Sequence, residues 1–579
     1  MSQINPTESN PILDFALNYE YPPYKDQVGT DKIVAFGDAS HKCPIYVEQQ
    51  PPCNDACPAG NDIRAWLTTM QQVKNKKWSM DEAYRQLWKE VSKTQPLPAV
   101  CGRVCPNPCE GSCNRNEKEG SVSINAYERW IGDYAIQNGF EHEKLTDEKR
   151  PEKIAVVGSG PAGLSCAFQL ARRGYDVTIF EAFKETGGML RYGIPAYRLP
   201  REVIDAEVAA IERMGVEIRC NTVVGKDISL DELKEKYDSV YLGIGAHKGI
   251  KLGMEGEDAD NVFSGAEFLN RIHAGKSVAI GDQVVVIGGG DTAIDAARVS
   301  LRLGAKVTIL YRRTRNEMPA IAPEIEEALE ENVDIRFLTA PIGIVTENGR
   351  AVAVRCQRME LGEPDKSGRR RPVAVEGSEF EVPCTALIPA ISQEPEWLDA
   401  ERYVSGRDWL KPGKDFSLED GVYTGGDAIN LGLVCGAIGD GRKAAENIHA
   451  RFTGEFPPMK EKKVIKPSEM SMEYYEDEER SERTHLAPDV RLKGGLDLEI
   501  DQGITEEQFM KEAHRCMSCG LCFDCKQCVS FCPHGTIKRF KDNPVGEVVY
   551  TKYSECEGCH LCHEICPCGY IQMGGADGL

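Results

Sequence analysis

Residues 153–182 read KIAVVGSGPAGLSCAFQLARRGYDVTIFEA, and the fold can be worked outward from them. An apolar run, Ile154–Val157, reads as a buried strand. It breaks at Gly158-x-Gly160-x-x-Gly163, continues in a helical pattern through Pro161 and Ala162, and returns as a second apolar strand ending at Glu181. The glycines have distinct tasks. Gly158 permits the tight turn, Gly160 lets backbone approach a pyrophosphate, and Gly163 lets the helix pack close to the strand. Glu181 stands where a carboxylate can accept from both ribose hydroxyls. Strand, turn, helix and terminal acid together read as a dinucleotide site.

A second copy of the design lies at residues 284–319, VVVIGGGDTAIDAARVSLRLGAKVTILYRRTRNEMP, with Gly288-x-Gly290-Asp291-Thr292-Ala293 at its turn. Glu181 follows Gly158 by 23 residues, and the residue 23 after Gly288 is Tyr311, followed by Arg312 and Arg313. Without the acid, a ribose 2′-phosphate meets no repulsion, and a guanidinium can grip it bidentately. The second site therefore reads as nicotinamide-binding with NADP(H) preferred over NAD(H), and Arg315 near enough to assist. Alternation of strands and helices around both motifs predicts an α/β protein with two Rossmann-like nucleotide-binding domains.

Cysteine separates the rest of the chain. There are 23, seven between Cys43 and Cys113 and eleven between Cys516 and Cys568. Cys522-x2-Cys525-x2-Cys528-x3-Cys532-Pro and Cys556-x2-Cys559-x2-Cys562-x3-Cys566-Pro are paired bacterial ferredoxin runs. In that fold each fourth cysteine crosses to the other cluster. One [4Fe-4S] cluster should use Cys522, Cys525, Cys528 and Cys566, and the other Cys556, Cys559, Cys562 and Cys532. Zinc does not require this duplicated run. Cys516, Cys519 and Cys568 are left without a cluster and read as plain thiols.

The chain has 579 residues, a formal charge of −22 and 41% hydrophobic residues. The length calls for several domains. The acidity argues against nucleic acid and suits docking to a basic redox partner. No apolar run is long enough to cross a bilayer, and the polar MSQINPTESN start lacks a signal core, so a soluble cytoplasmic protein is expected. The expected divisions are an α-helical iron–sulfur domain over residues 1–150, with Ile63, Trp66 and Leu67 at helix spacing. An FAD-binding domain follows in two parts, 151–280 and 395–455, around a nicotinamide domain at 281–394. A linker at 456–505, with EYYEDEERSER at its centre, leads to an α+β two-cluster ferredoxin domain at 506–579.

Three segments carry a resemblance to a known family. GVYTGGDA with VCGAIGDGRKAA, residues 421–428 and 434–445, resembles the second flavin signature of the pyridine nucleotide–disulfide oxidoreductase superfamily. It implies FAD at the first site, with Gly426 and Asp427 on the ribityl or phosphate portion and Gly436 and Gly439 approaching the isoalloxazine. CGRVCPNPCEGSC (Cys101–Cys113), GGMLRYGIPAYRLP (Gly187–Pro200) and YRRTRNEMP are similar to the glutamate synthase small subunit. That resemblance implies a flavin-proximal loop with Gly188, Gly193 and Arg198. It also implies two N-terminal clusters. One would take Cys57, Cys105, Cys109 and Glu128. The other would take Cys53 and Cys113, completed with Cys43 and Cys101. The tail, CMSCGLCFDCKQCVSFCP with CEGCHLCHEICPCGYI, looks like the DsrL-type NAD(P)H oxidoreductase of dissimilatory sulfite reductase systems.

Together these features imply an NAD(P)H:acceptor oxidoreductase with FAD, four [4Fe-4S] clusters and a redox protein partner, with dissimilatory sulfite reductase as the expected one. The alternatives are an electron-input subunit like that of glutamate synthase and a ferredoxin:NADP oxidoreductase serving another enzyme. A homodimer is left open. Hydride transfer needs no side-chain acid or nucleophile, so no catalytic residue is assigned.

Overall fold

The continuous apolar run after Lys153 forms a strand, Lys153–Val157, buried within a six-stranded sheet. The computed structural model describes residues 42–574 except 366–367, 398, 405–408, 457–461 and 541–545. Across the sheet the order is Ser417–Glu419, Val422–Thr424, Ser239–Leu242, Lys153–Val157, Asp176–Phe180 and Glu217–Arg219. All neighbours are parallel except the first pair. Strand Val422–Thr424 thus returns, after the second nucleotide-binding unit, to complete a sheet begun at residue 153. Helix Pro161–Ala171 covers one face. Helix Val434–Thr453 crosses it closely because Gly441 has no side chain: a Cβ there would lie 2.1 Å from the Ala162 carbonyl oxygen.

The second unit has a four-stranded parallel sheet in the order Ala386–Pro389, Gln283–Ile287, Lys306–Leu310, Asp334–Arg336. Between its last two strands in sequence runs an antiparallel meander, Thr339–Glu347, Arg350–Pro364 and Arg370–Pro383, which βα alternation alone does not predict. Its first turn is Asn348-Gly349, both at positive φ (51° and 77°), the conformation a two-residue hairpin needs.

The N-terminal unit is helical. Helix Met80–Val91 starts at a capping box between Ser79 and Glu82 and buries Tyr84, Leu87 and Trp88. Its core also takes in helix Glu506–Arg515, whose Phe509 stacks on Tyr127 at 4.2 Å between centroids. The C-terminal unit contains the hairpin Ile537–Arg539/Val549–Thr551. Beside it, strand Cys43–Tyr46 pairs antiparallel with Ile571–Gly574, joining two segments from opposite ends of the described chain.

Residues 462–505 are a strap with short helical turns, held at many points. Arg480 pairs with Glu110, Arg483 with Asp501, Arg491 with Glu330 and His485 with Glu327. The Ile500 amide donates to the Tyr197 carbonyl at 3.0 Å. Among the described residues no helix is long and apolar enough to cross a membrane.

Candidate flavin, nucleotide and cluster sites

The first glycine turn opens onto a large cleft lined by Gly158, Gly160, Pro161, Glu181, His247 and Asp427, among others. Gly158 has φ +96°, and a Cβ on it would lie 2.5 Å from the Gly243 carbonyl oxygen. A Cβ on Gly160 would meet no atom within 4 Å, so its backbone faces open cleft at the helix N-terminus. Gly163 packs on Gly158, with only 2.0 Å between a virtual Cβ and the Gly158 oxygen. Glu181 lies in the cleft and also braces the turn, accepting from the Ser159 and Phe183 amides, each at 2.8 Å. Burial pushes the Asp427 carboxyl up to about 6 while it accepts from the Gly432 amide at 3.0 Å. Burial also pushes His247 down to about 4, so a neutral imidazole faces the cleft. A cleft that presents an open glycine turn together with the Glu181 and Asp427 carboxylates fits FAD.

Neighbouring expectations divide. Gly188 lines the cleft, and a Cβ on it would come 3.0 Å from Gly160 Cα. Gly426 is not a lining residue, Gly425 standing there instead, and the Gly426 amide donates to Asp440. Gly193 lies behind the cleft against Met189, and Ile194 is the lining residue. Arg198 is not at the flavin. It is buried and ion-paired with Asp295 and Glu324, both at 2.8 Å, so it ties the two nucleotide-binding units together. Gly439 does not face the cleft either, because its virtual Cβ is 2.1 Å from the Pro58 carbonyl oxygen, and Gly436 is not a lining residue.

At the second turn Gly288 adopts φ +147°, and a Cβ on Gly290 would meet only Pro319, at 3.9 Å. Ala293 is fully buried, Thr292 accepts from the Gln393 amide at 3.4 Å, and Asp291 accepts from the Ile321 amide at 2.9 Å. Tyr311 packs its ring over Gly289. Arg312 is exposed beyond it. Arg313 is turned away and buried, bonded to the Arg370 carbonyl and the Asp365 carboxylate of the meander. Arg315 pairs with Glu326. Of the three arginines expected at a 2′-phosphate, Arg313 and Arg315 are engaged with other groups and Arg312 is the exposed one.

The ferredoxin quartets assemble as the crossed spacing implies. Cys532, Cys556, Cys559 and Cys562 line one cavity. Cys522, Cys525, Cys528 and Cys566 line another, joined by the fully buried Cys568, whose sulfur is 3.9 Å from that of Cys566. In the N-terminal unit Cys57, Cys105, Cys109 and Glu128 interact with one another. Burial pushes the Glu128 carboxyl up to about 8, against a 2.9 Å hydrogen bond from Gln95. Sulfur-rich sets of this kind suit iron–sulfur clusters. Among the described residues no three His, Cys, Asp or Glu side chains close on a single metal ion.

Two expected ligands stand elsewhere. Cys43, on the strand paired with Ile571–Gly574, lies against Cys556. Cys101 is buried in helix Pro98–Val104 beside Cys105 and Glu128. Neither reaches Cys53 and Cys113. A third cysteine-lined cavity has Cys53 and Cys113 facing Cys516 and Cys519, the pair that spacing had left as plain thiols.

Residues 152–367 match the pyridine nucleotide-disulphide oxidoreductase family, residues 33–140 the dihydropyrimidine dehydrogenase domain II 4Fe-4S family, and residues 521–570 the 4Fe-4S dicluster family. The glutamate synthase [NADPH] small chain of Escherichia coli (strain K12) is 40% identical over 425 residues, 69% of this chain and 88% of that one. The chain belongs to the glutamate synthase small-subunit family. Another relative is the NADPH-Fe(3+) oxidoreductase subunit beta of Geobacter sulfurreducens (strain DL-1 / KN400). It is 39% identical over 512 residues, covering 81% of this chain and 75% of its own. As a member of the glutamate synthase small-subunit family, the protein is a pyridine nucleotide-dependent FAD/iron–sulfur oxidoreductase.

Within that family fold, several site residues carry no motif. His247 enters the flavin cleft from a loop whose residue types are ordinary, whereas Ile194 comes from the GIP segment already read as flavin-proximal. Cys435 lies against Cys105 from the start of helix Val434–Thr453 and has no spacing signature. Cys516-x2-Cys519 did carry a signal, the two-residue ligand spacing, but its partners are far away in sequence.

Proposed function

We propose that this chain oxidises NADPH at FAD and passes the electrons singly, through [4Fe-4S] clusters, to a redox protein in the cytoplasm. A bound flavin supplies conversion between two-electron hydride transfer and one-electron transfer. The observation that carries the reading is the position of helix Val434–Thr453. Its Leu433, Val434 and Ala437 neighbourhood lines the flavin cleft, while Cys435 of the same turn faces Cys105. Flavin and the first cluster would therefore be separated by one helical turn. Gly158, Gly160, Glu181 and Asp427 hold the flavin in this reading, and Cys57, Cys105, Cys109 and Glu128 hold that first cluster.

NADPH rather than NADH is favoured by Tyr311 in place of an acid and by exposed Arg312. The named relatives are NADPH enzymes, and the Moorella thermoacetica relative is the beta subunit of an NADP(+)-dependent formate dehydrogenase. The test is anaerobic stopped-flow mixing with NADPH, following flavin and cluster absorbance separately. Flavin bleaching should precede cluster bleaching; clusters that stay oxidised would sink the reading.

For the partner, dissimilatory sulfite reductase is the finer reading, supported by the resemblance of residues 516–570. Sulfite and sulfide differ by six electrons, which suits repeated single-electron delivery. Anaerobic mixing with that reductase should give sulfite-dependent NADPH oxidation. If none occurs, the sulfur assignment falls and the electron-input role, as for glutamate synthase or a ferredoxin, stands alone.

A further inference from the structure

We propose that Cys53, Cys113, Cys516 and Cys519 hold one [4Fe-4S] cluster between them, a site built from segments near both ends of the chain. Its role as a link in the electron path rests on the function proposed above, but its ligand set does not.

Cavity size and lining point to it first. The space bounded by these four cysteines is about 370 Å³, against about 360 Å³ and 340 Å³ for the two cavities of the ferredoxin quartets. All three are lined by at least four thiols that come from separate stretches of chain, with apolar walls. Here the walls include Pro52, Leu67, Val122 and Ile124.

Anchoring points to it next. Cys516 ends helix Glu506–Arg515, which Phe509 fixes in the N-terminal core. Gln71 donates to the carbonyls of Ala513 and Cys516 at 2.7 and 2.8 Å, and Arg64 donates to that of Cys519 at 2.9 Å. Both cysteines are therefore held in place by the N-terminal unit rather than by the ferredoxin lobe that follows them.

Charge supports the same occupant. Four thiolates on a cubane leave a net negative group, which a dry cavity must compensate. Arg64 and Arg115 both line the cavity and are almost fully buried. The Nε of Arg64 has no hydrogen-bond partner, although its other nitrogens are engaged with Gln49, Glu48 and Cys519. A buried unpartnered N–H is costly, and an anionic cluster in the cavity would accept from it.

Position gives the site its use. Cys53 precedes Cys57 of the flavin-side cluster by one helical turn, and Cys519 precedes Cys522 of the ferredoxin pair by three residues. A cluster here would join the two otherwise separate pairs of sites into one path from the flavin cleft to the C-terminal lobe.

The test compares anaerobically purified parent with Cys516→Ser/Cys519→Ser for iron, acid-labile sulfide, zinc and the EPR spectrum after dithionite reduction, with FAD content as the measure of folding. The expected result is a loss of about four irons per chain, with one EPR component gone and FAD retained. The parent's iron content and spectrum in the double variant, or zinc in the parent at one per chain, would overturn the assignment. Should the double variant lose FAD as well, Cys519→Asp decides. A ligating carboxylate keeps the iron and shifts one EPR component, and an unshifted spectrum rejects the site. Because dithionite is the reductant, failure of the NADPH reading would leave this result untouched.

Discussion

Arg313 donates from Nη2 to the Asp365 carboxylate at 2.8 Å, which fastens the second nucleotide-binding unit to its antiparallel meander. Side by side in sequence, Arg312 and Arg313 therefore have different work. Arg312→Ala should raise the KM for NADPH at least tenfold more than that for NADH, since a charge-assisted contact is worth about 1.5–3 kcal/mol. Arg313→Ala should shift both nucleotides alike. Steady-state kinetics with each nucleotide checks this, and an unchanged NADPH/NADH ratio in Arg312→Ala would clear that residue of phosphate reading.

Flavin retention should depend on Gly441. A methyl group there would press on the Ala162 carbonyl at the start of the glycine-turn helix, where backbone cannot give way cheaply. Gly441→Ala is expected to lower the FAD-to-protein ratio after gel filtration. A stoichiometric ratio would show that the helix pair adjusts without disturbing the cleft.

Glu331 is buried between Arg298 and Arg302, with contacts of 2.8 and 2.7 Å. Burial alone would raise its carboxyl, but hydrogen bonds from Arg302 and Arg298 outweigh that and hold it at about 2. A depressed carboxyl stabilises the fold above its ordinary value near 4.5, and the contribution fades as pH falls towards 2. At neutral pH Glu331→Ala leaves two buried guanidinium groups without this partner and should cost about 3–5 kcal/mol. Differential scanning calorimetry should show the loss at pH 7, and an unchanged melting temperature would contradict it.

His485 fastens the strap to the nucleotide unit through Glu327 at 2.8 Å. That hydrogen bond, helped by Asp501 and opposed by burial and Arg491, raises the imidazole above its ordinary 6.5. A raised histidine stabilises fully below 6.5 and loses its contribution as pH rises through the folded value. Limited proteolysis within residues 483–503 should accelerate between pH 6.5 and alkaline pH in the parent but not in His485→Gln. Equal pH profiles for the two would remove the tie.

Where function was carried by a local pattern, it was legible in the sequence. Gly158, Gly160 and Gly163 predict their own turn because strand, turn and helix are contiguous, and the ferredoxin quartets follow from a crossed spacing within one short module. What escaped was pairing across distance. The family resemblance leaves Cys53 and Cys113 to be completed with Cys43 and Cys101, whereas strand pairing carries Cys43 to Cys556 and helix packing turns Cys101 towards Glu128. Arg313 looks free until the meander brings Asp365 beside it. Arg198, beside the flavin loop in sequence, is drawn away by two buried acids of the neighbouring unit.

The pairing of Cys43–Tyr46 with Ile571–Gly574 bears on how the molecule is made. The first of these strands leaves the ribosome more than 500 residues ahead of its sheet partner and stays unpaired until nearly all the described residues have been synthesised. The N-terminal helices wait as well, since Phe509 and Ala513 belong to their core. A nascent chain therefore carries an open, apolar and thiol-rich lobe while both nucleotide-binding units fold behind it, a state prone to aggregation and oxidation. Translation order and folding order run against each other here: a lobe that emerges ahead of both nucleotide-binding units can close only after them.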